Sequence, residues 1–225
     1  MAGDGHQVTE TQDTNLTRLL WLLPVVVLLL IAACSSRTKE AALPAGSKVL
    51  ALGDSLTQGA GVKSEEAWPS LIAQKTGWVV VNGGVNGDTS EAALLRLPNL
   101  LEQHKPVLVL VTLGGNDMLR HIPQQRTTAN LDQILTQIKA HGAKSVLLAT
   151  PNPSLMGAVF QHLSAPEFYR NLAEKQQVPL IEDAIAEVIS DPKLKSDPLH
   201  PNIEGHKVLS EKIFEELKTI GFISG

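Results

Sequence analysis

The chain has 225 residues, 43% of them hydrophobic, with 13 prolines and a formal net charge of −4. That length suffices for one well-buried globular domain and is short for two. Lysines and arginines are scattered, aromatics make up 4% of the residues and no basic stripe is present, so no nucleic acid is expected as a partner.

The chain opens with a polar stretch ending at Arg18, followed by Leu19 to Ala33, LLWLLPVVVLLLIAA, the most apolar segment in the sequence. A membrane-spanning helix needs about 20 apolar residues. This run is shorter, contains Pro24 and ends in small residues ahead of Cys34, as a cleavable export signal does. Cys34 is the only cysteine, which excludes an internal disulfide framework and a cysteine-rich zinc site. Leu30-Ile31-Ala32-Ala33-Cys34 resembles a bacterial lipobox. The resemblance implies a signal peptide over residues 1–33, lipidation of Cys34, and a membrane anchor facing the periplasm of the cell envelope. Ser35 after the cysteine resembles the pattern of lipoproteins sent to the outer membrane. An uncleaved anchor helix is the alternative. Residues 34–46 are small and polar and read as a tether, which leaves 47–225 as the folded domain.

Within that domain, short continuous apolar runs alternate with stretches of helical period. Strands are expected at Lys48 to Leu52, Trp78 to Val81, Pro106 to Leu113, Ser145 to Thr150 and, more weakly, Val178 to Ile181. Helices are expected near Ala67 to Lys75, Thr89 to Gln103, Thr127 to Ala140, Pro166 to Gln176, Asp183 to Ser190 and Ile203 to Thr219. Strands apolar on both faces and alternating with helices predict a parallel sheet covered on both sides. The last helix has Asn202 as its N-cap and a stripe of Ile203, Val208, Leu209, Ile213, Phe214 and Leu217 to bury.

A polar turn follows each of the first three strands: Gly53-Asp54-Ser55, then Asn82 to Thr89 (NGGVNGDT), then Gly114-Gly115-Asn116-Asp117. Asp197-Pro198-Leu199-His200-Pro201-Asn202 precedes the last helix. Taken alone, the first turn needs no more than Asp54 and Ser55 capping a helix. Four such turns on one edge of one sheet point instead to a site.

Ser55 offers a hydroxyl that becomes nucleophilic once a base takes its proton, and histidine suits that role. Of seven histidines, His104, His141, His162 and His206 read as solvated, whereas His121 follows the Asn116-Asp117 turn and rivals His200 as the base. His200 has a carboxylate, Asp197, three residues before it in a proline-bounded turn, a spacing that lets one ring nitrogen meet the acid while the other faces the serine. Acyl transfer also needs donors for a developing oxyanion. Asn116 supplies an amide, Gly87 allows close approach of a backbone N–H, and the N–H of Ser55 is a third candidate.

Gly53-Asp54-Ser55-Leu56, Gly87-Asp88-Thr89, Gly114-Gly115-Asn116-Asp117 and Asp197 to Asn202 resemble, in order, the four sequence blocks of the SGNH (GDSL) hydrolase superfamily, with most likeness to its periplasmic acyl-CoA thioesterase, lysophospholipase and arylesterase branch. The resemblance implies an α/β fold, a flavodoxin-like three-layer α/β/α sandwich with a five-stranded parallel sheet. It implies Ser55 as nucleophile, His200 as base, Asp197 as its partner, and an oxyanion hole of Ser55, Gly87 and Asn116. No metal and no organic cofactor are implied. The stretch Thr150 to Ala165 departs from the tyrosine-containing loop of that branch. Its Leu155, Met156, Val159 and Phe160 read equally as an apolar lip for an acyl or aryl group and as packing beneath the loop. The expected protein is a lipid-anchored, monomeric serine esterase of carboxylic esters or thioesters. The alternatives are removal of O-acetyl groups from a polysaccharide or peptidoglycan and a non-catalytic, lipid-anchored binding module.

Overall fold

The computed structural model describes residues 1, 3, 39–152 and 163–224. Cys34, nearly all of the expected signal segment, His162, and Leu155, Met156, Val159 and Phe160 therefore lie outside the described residues. The chain divides at Glu40, and Glu40–Gly225 is one compact unit. It begins seven residues before the expected Ser47, because the stretch read as tether is fastened from Glu40 onward. Glu40 N–H donates to Ile220 O and Leu43 N–H to Phe222 O, each at 2.9 Å, while Leu43 packs against the core.

Five strands form one parallel sheet: β1 (Lys48–Gly53), β2 (Val79–Gly84), β3 (Leu108–Thr112), β4 (Lys144–Leu148) and the two-residue β5 (Leu180–Ile181). Their order is β2-β1-β3-β4-β5. Among the described residues eight α-helices and a short 3-10 helix (Ser64–Glu66) accompany the sheet: α1 (Ser55–Gln58), α2 (Trp68–Thr76), α3 (Ser90–His104), α4 (Gly115–Leu119), α5 (Gln124–Ala140), α6 (Phe168–Gln176), α7 (Ala184–Ser190) and α8 (Ile203–Ile220).

The pleat sends alternate side chains of each strand to opposite faces, and two cores result. Val49, Ala51, Leu108, Leu110, Val146 and Leu148 face α2, α7 and α8. Leu50, Leu52, Val109, Val111 and Leu147 face α3, α5 and α6. All of these strand residues are fully buried, so each central strand reads as a continuous apolar run. The result is the expected three-layer α/β/α sandwich. β2 extends past its expected end at Val81 because Gly83 and Gly84 have no side chains to interfere. A Cβ on Gly84 would sit 2.2 Å from the backbone nitrogen of Gln58, where α1 packs on the strand.

In α8, Asn202 accepts from Gly205 N–H at 2.9 Å, as expected of its N-cap. The buried stripe differs from expectation. Ile203 is 45% exposed, Val208 and Phe214 are half-buried, and the inner face runs His206, Leu209, Ser210, Ile213, Leu217. His206, expected to be solvated, is fully buried and neither ring nitrogen has a partner among the described residues. Burial, followed by the nearby His200, pushes its pKa down from 6.5 to about 4. A fold that prefers the neutral ring is stabilised above the unfolded pKa and loses that contribution as pH falls through the folded one. The stability difference between wild type and His206→Leu should therefore shift by about 3 kcal/mol against wild type between pH 7.5 and pH 4, as read from urea midpoints. An unchanged difference would place the ring in contact with water.

Candidate active site

Adjacent strands β1 and β3 send the chain in opposite directions, β1 toward β2 and β3 toward β4, so the connections leaving their carboxyl ends diverge. Crevices at such switch points hold the ligands of open α/β sheets. Ser55 stands at the start of α1, directly beyond β1, and Asn116 stands on α4, beyond β3. Both line a cleft of about 560 Å³ together with Gly87 and His200. Its remaining walls are largely apolar, with Leu119, Leu163, Ile185 and Ile189 among them.

His200 Nε2 lies 2.9 Å from Ser55 Oγ. Its Nδ1 faces both oxygens of Asp197, at 3.0 Å and 2.8 Å. A carboxylate can only accept, so Nδ1 carries the hydrogen and the lone pair of Nε2 is left for the serine hydroxyl. Asp197 and His200 share one loop. Asp197 Oδ1 also accepts from the backbone N–H of Leu199 and of His200, at 2.7 Å and 3.0 Å. The loop is closed by Ser196 N–H on His200 O at 2.9 Å and by a bridge between Lys195 and Pro201. Partial burial raises the Asp197 pKa, but the hydrogen bond from His200, the Leu199 N–H and the charge of His200 outweigh it, and the carboxyl titrates below its ordinary range. His121, the rival base, is exposed and lies outside the lining of the cleft.

Asp54 is buried between the two halves of the site. Its Oδ1 accepts from Leu56 N–H at 3.0 Å and caps α1, as its position in the turn suggests. Its Oδ2 accepts from Asn116 Nδ2 at 3.1 Å, a contact sequence reasoning missed. Because the acceptor is a carboxylate, it selects the amide orientation that keeps NH₂ inward and leaves the second N–H free to donate. Burial raises the Asp54 pKa to about 6 despite the opposing hydrogen bonds from Leu56 and Asn116 and the charge of His200.

The turn carrying Asn116 is propped from beneath. Tyr169 Oη donates to Leu113 O at 2.7 Å and lies 2.5 Å from Thr150 Oγ1. Gly114, at φ +115°, has to be glycine, since a Cβ there would fall 2.3 Å from that hydroxyl. Asp117, fully buried, accepts from Ser90 N at 2.8 Å, Ser90 Oγ at 2.5 Å and Thr127 Oγ1 at 3.2 Å, which ties α4 to the starts of α3 and α5. Nothing in the spacing of Tyr169 or Asp117 signals these contacts. Among the described residues, no cluster of His, Cys, Asp or Glu is arranged to hold a metal ion.

Residues 51–208 match the model of the GDSL-like Lipase/Acylhydrolase family. An arylesterase of Vibrio mimicus is 38% identical over 184 residues, covering 79% of this chain and 92% of the relative. Thioesterase 1/protease 1/lysophospholipase L1 of Escherichia coli K12 is 36% identical over 205 residues, covering 89% of this chain and 93% of its own. The crystal structure of the psychrotrophic esterase EstA from Pseudoalteromonas sp., inhibited by monoethylphosphonate, superposes with a TM-score of 0.67 at 27% identity, over 77% of this chain and 97% of that one.

Proposed function

The chain belongs to the GDSL-like lipase/acylhydrolase family and is an ester hydrolase, and from that premise we propose that it works through an acyl-enzyme on Ser55. The observation that carries this reading is the 2.9 Å contact from His200 Nε2 to Ser55 Oγ, with Asp197 behind the ring. Ser55 attacks the carbonyl carbon as His200 takes its proton, and Asp197 stabilises the imidazolium that results. The tetrahedral oxyanion accepts hydrogen bonds from the N–H groups of Ser55 and Gly87 and from the Asn116 amide. Collapse expels the leaving group, which takes the proton back from His200. Water then repeats the sequence on the acyl-enzyme and releases the carboxylic acid.

The substrate is a carboxylic ester or thioester. Apolar walls built from Leu119, Leu163, Ile185 and Ile189 favour an acyl group larger than acetyl, which supports this reading over polysaccharide deacetylation. Covalent labelling of Ser55 by a fluorophosphonate, followed by a panel of esters and thioesters of increasing acyl length, tests the assignment. An unlabelled Ser55 in a protein that turns over esters would remove it. The Leu-Ile-Ala-Ala-Cys sequence supports a lipid anchor on Cys34 in a bacterial envelope. An unmodified Cys34 thiol in the mass spectrum of the membrane-extracted protein would exclude that anchor.

Asn116→Ala should lower kcat by about 10²- to 10³-fold, or 2.7–4 kcal/mol, with little change in KM. The amide meets full negative charge only in the transition state, so its loss falls on kcat. A loss confined to KM would make Asn116 a binding residue for the ground state.

A further inference from the structure

The N–H of Gly87 belongs to the peptide joining Asn86 to Gly87, in a turn. Gly87 itself has φ +77° and is only half-buried. An oxyanion donor in such a turn contributes fully only if its direction is fixed before the charge develops, so that no reorganisation is paid during reaction. Two arginines from two different helices converge on this turn. Arg96 of α3 reaches back with Nε donating to Asp88 Oδ2 at 2.7 Å and Nη2 donating to Gly53 O at 3.0 Å. Gly53 O closes β1, two residues before the nucleophile, and also accepts from Val85 N–H at 3.1 Å. Arg120, at the end of α4, donates from Nη2 to Gly87 O at 2.8 Å. Its own backbone N–H donates to Asn116 O at 3.0 Å. One guanidinium thus ties the turn to the strand that presents Ser55, and the other ties it to the helix that presents Asn116. On the far flank of the same peptide, Asn86 N–H is held by Gln58 Oε1 at 2.8 Å.

We propose that Arg96 and Arg120 are positioning residues for the oxyanion site, fixing the Gly87 N–H relative to both Ser55 and the Asn116 amide. The proposal rests on the assignment of Gly87 and Asn116 as oxyanion donors. Neither arginine touches the reacting atoms. They act through the turn, and their effect belongs to the step in which the carbonyl becomes tetrahedral. The two differ in what they demand of the side chain. Arg96 uses the planar fork to span an acid and a carbonyl at once, which a single ammonium cannot copy. Arg120 makes one bond, which lysine can replace.

The test compares Arg96→Met, Arg96→Lys, Arg120→Met and Arg120→Lys in the full chain, with steady-state hydrolysis of a p-nitrophenyl ester, thermal melts, and inhibition by an alkylboronic acid. The boronic acid forms a tetrahedral adduct on Ser55 with an oxygen where the oxyanion would stand, so its affinity reports on the donors directly. Both methionine variants should lose about 10- to 100-fold in kcat with KM unchanged, and boronic acid affinity should weaken by the same factor. Arg120→Lys should recover most of the loss, and Arg96→Lys should not. Methionine variants with kcat within about 3-fold of wild type, or with losses that appear only in KM or melting temperature while boronic acid inhibition stays intact, would overturn the proposal. If Arg96→Met fails to fold, the exposed Arg120→Met decides alone. Asn116→Ala separates the two readings. If it keeps full activity, the oxyanion assignment itself fails. If it falls while the arginine variants match wild type, only the positioning role fails.

Discussion

Ser55→Ala should abolish ester turnover, with kcat falling by about 10⁶-fold to the residual level that binding and oxyanion donors alone supply. In the proposed acyl-enzyme route the hydroxyl is the atom that bonds to substrate carbon. Among the described residues, its side-chain hydrogen bond is to His200. Asp54, not Ser55, caps α1, so the fold should survive the change with an unaltered melting temperature. Fluorophosphonate labelling should vanish together with activity. A folded alanine variant that still hydrolyses p-nitrophenyl esters at more than a trace would end the assignment of Ser55 as nucleophile.

His200→Ala carries the second large effect, again about 10⁶-fold in kcat, because a serine hydroxyl without a base is as unreactive as no serine at all. The double variant Ser55→Ala/His200→Ala should be no slower than either single variant, since both remove the same step. Asp197→Asn should cost less, about 10⁴-fold, and by a different route. An amide can present NH₂ to Nδ1 and thereby favour the tautomer whose Nε2 already holds a hydrogen, leaving no lone pair for Ser55. Single and double rates that multiply instead of coinciding would show that the serine and the histidine act in separate steps. That result would require a different base.

The sheet was legible because its strands are buried on both faces. Val49 to Leu52 and Leu108 to Val111 are apolar throughout, which marks a parallel sheet whatever the order of its strands. The four polar turns were legible for a related reason: each interrupts an apolar pattern, three of them with glycine and the fourth, Asp197 to Asn202, with two prolines. Three kinds of feature were not. Strand ends made of glycine, such as Gly83 and Gly84, look like turn until the packing of α1 against them is known. Long-range polar contacts leave no local trace, and the bonds from Tyr169 to Leu113 O and from Arg96 to Gly53 O span 56 and 43 residues. His206, expected to be solvated within the last helix, is buried because of the face it occupies. It lies three residues before Leu209 and seven before Ile213, on the stripe that faces the core. A histidine within such a stripe should be read as buried.

The reactive pair joins residues 145 positions apart, and the base stands just ahead of the last helix. Synthesis adds about 5 to 20 residues per second, so roughly 7 to 30 s separate the appearance of the serine from that of its histidine. Throughout that interval Ser55 lacks the partner that the proposed mechanism assigns as its base. On the proposed roles, a chain cut off before residue 200 carries the serine without its base and should hydrolyse no ester.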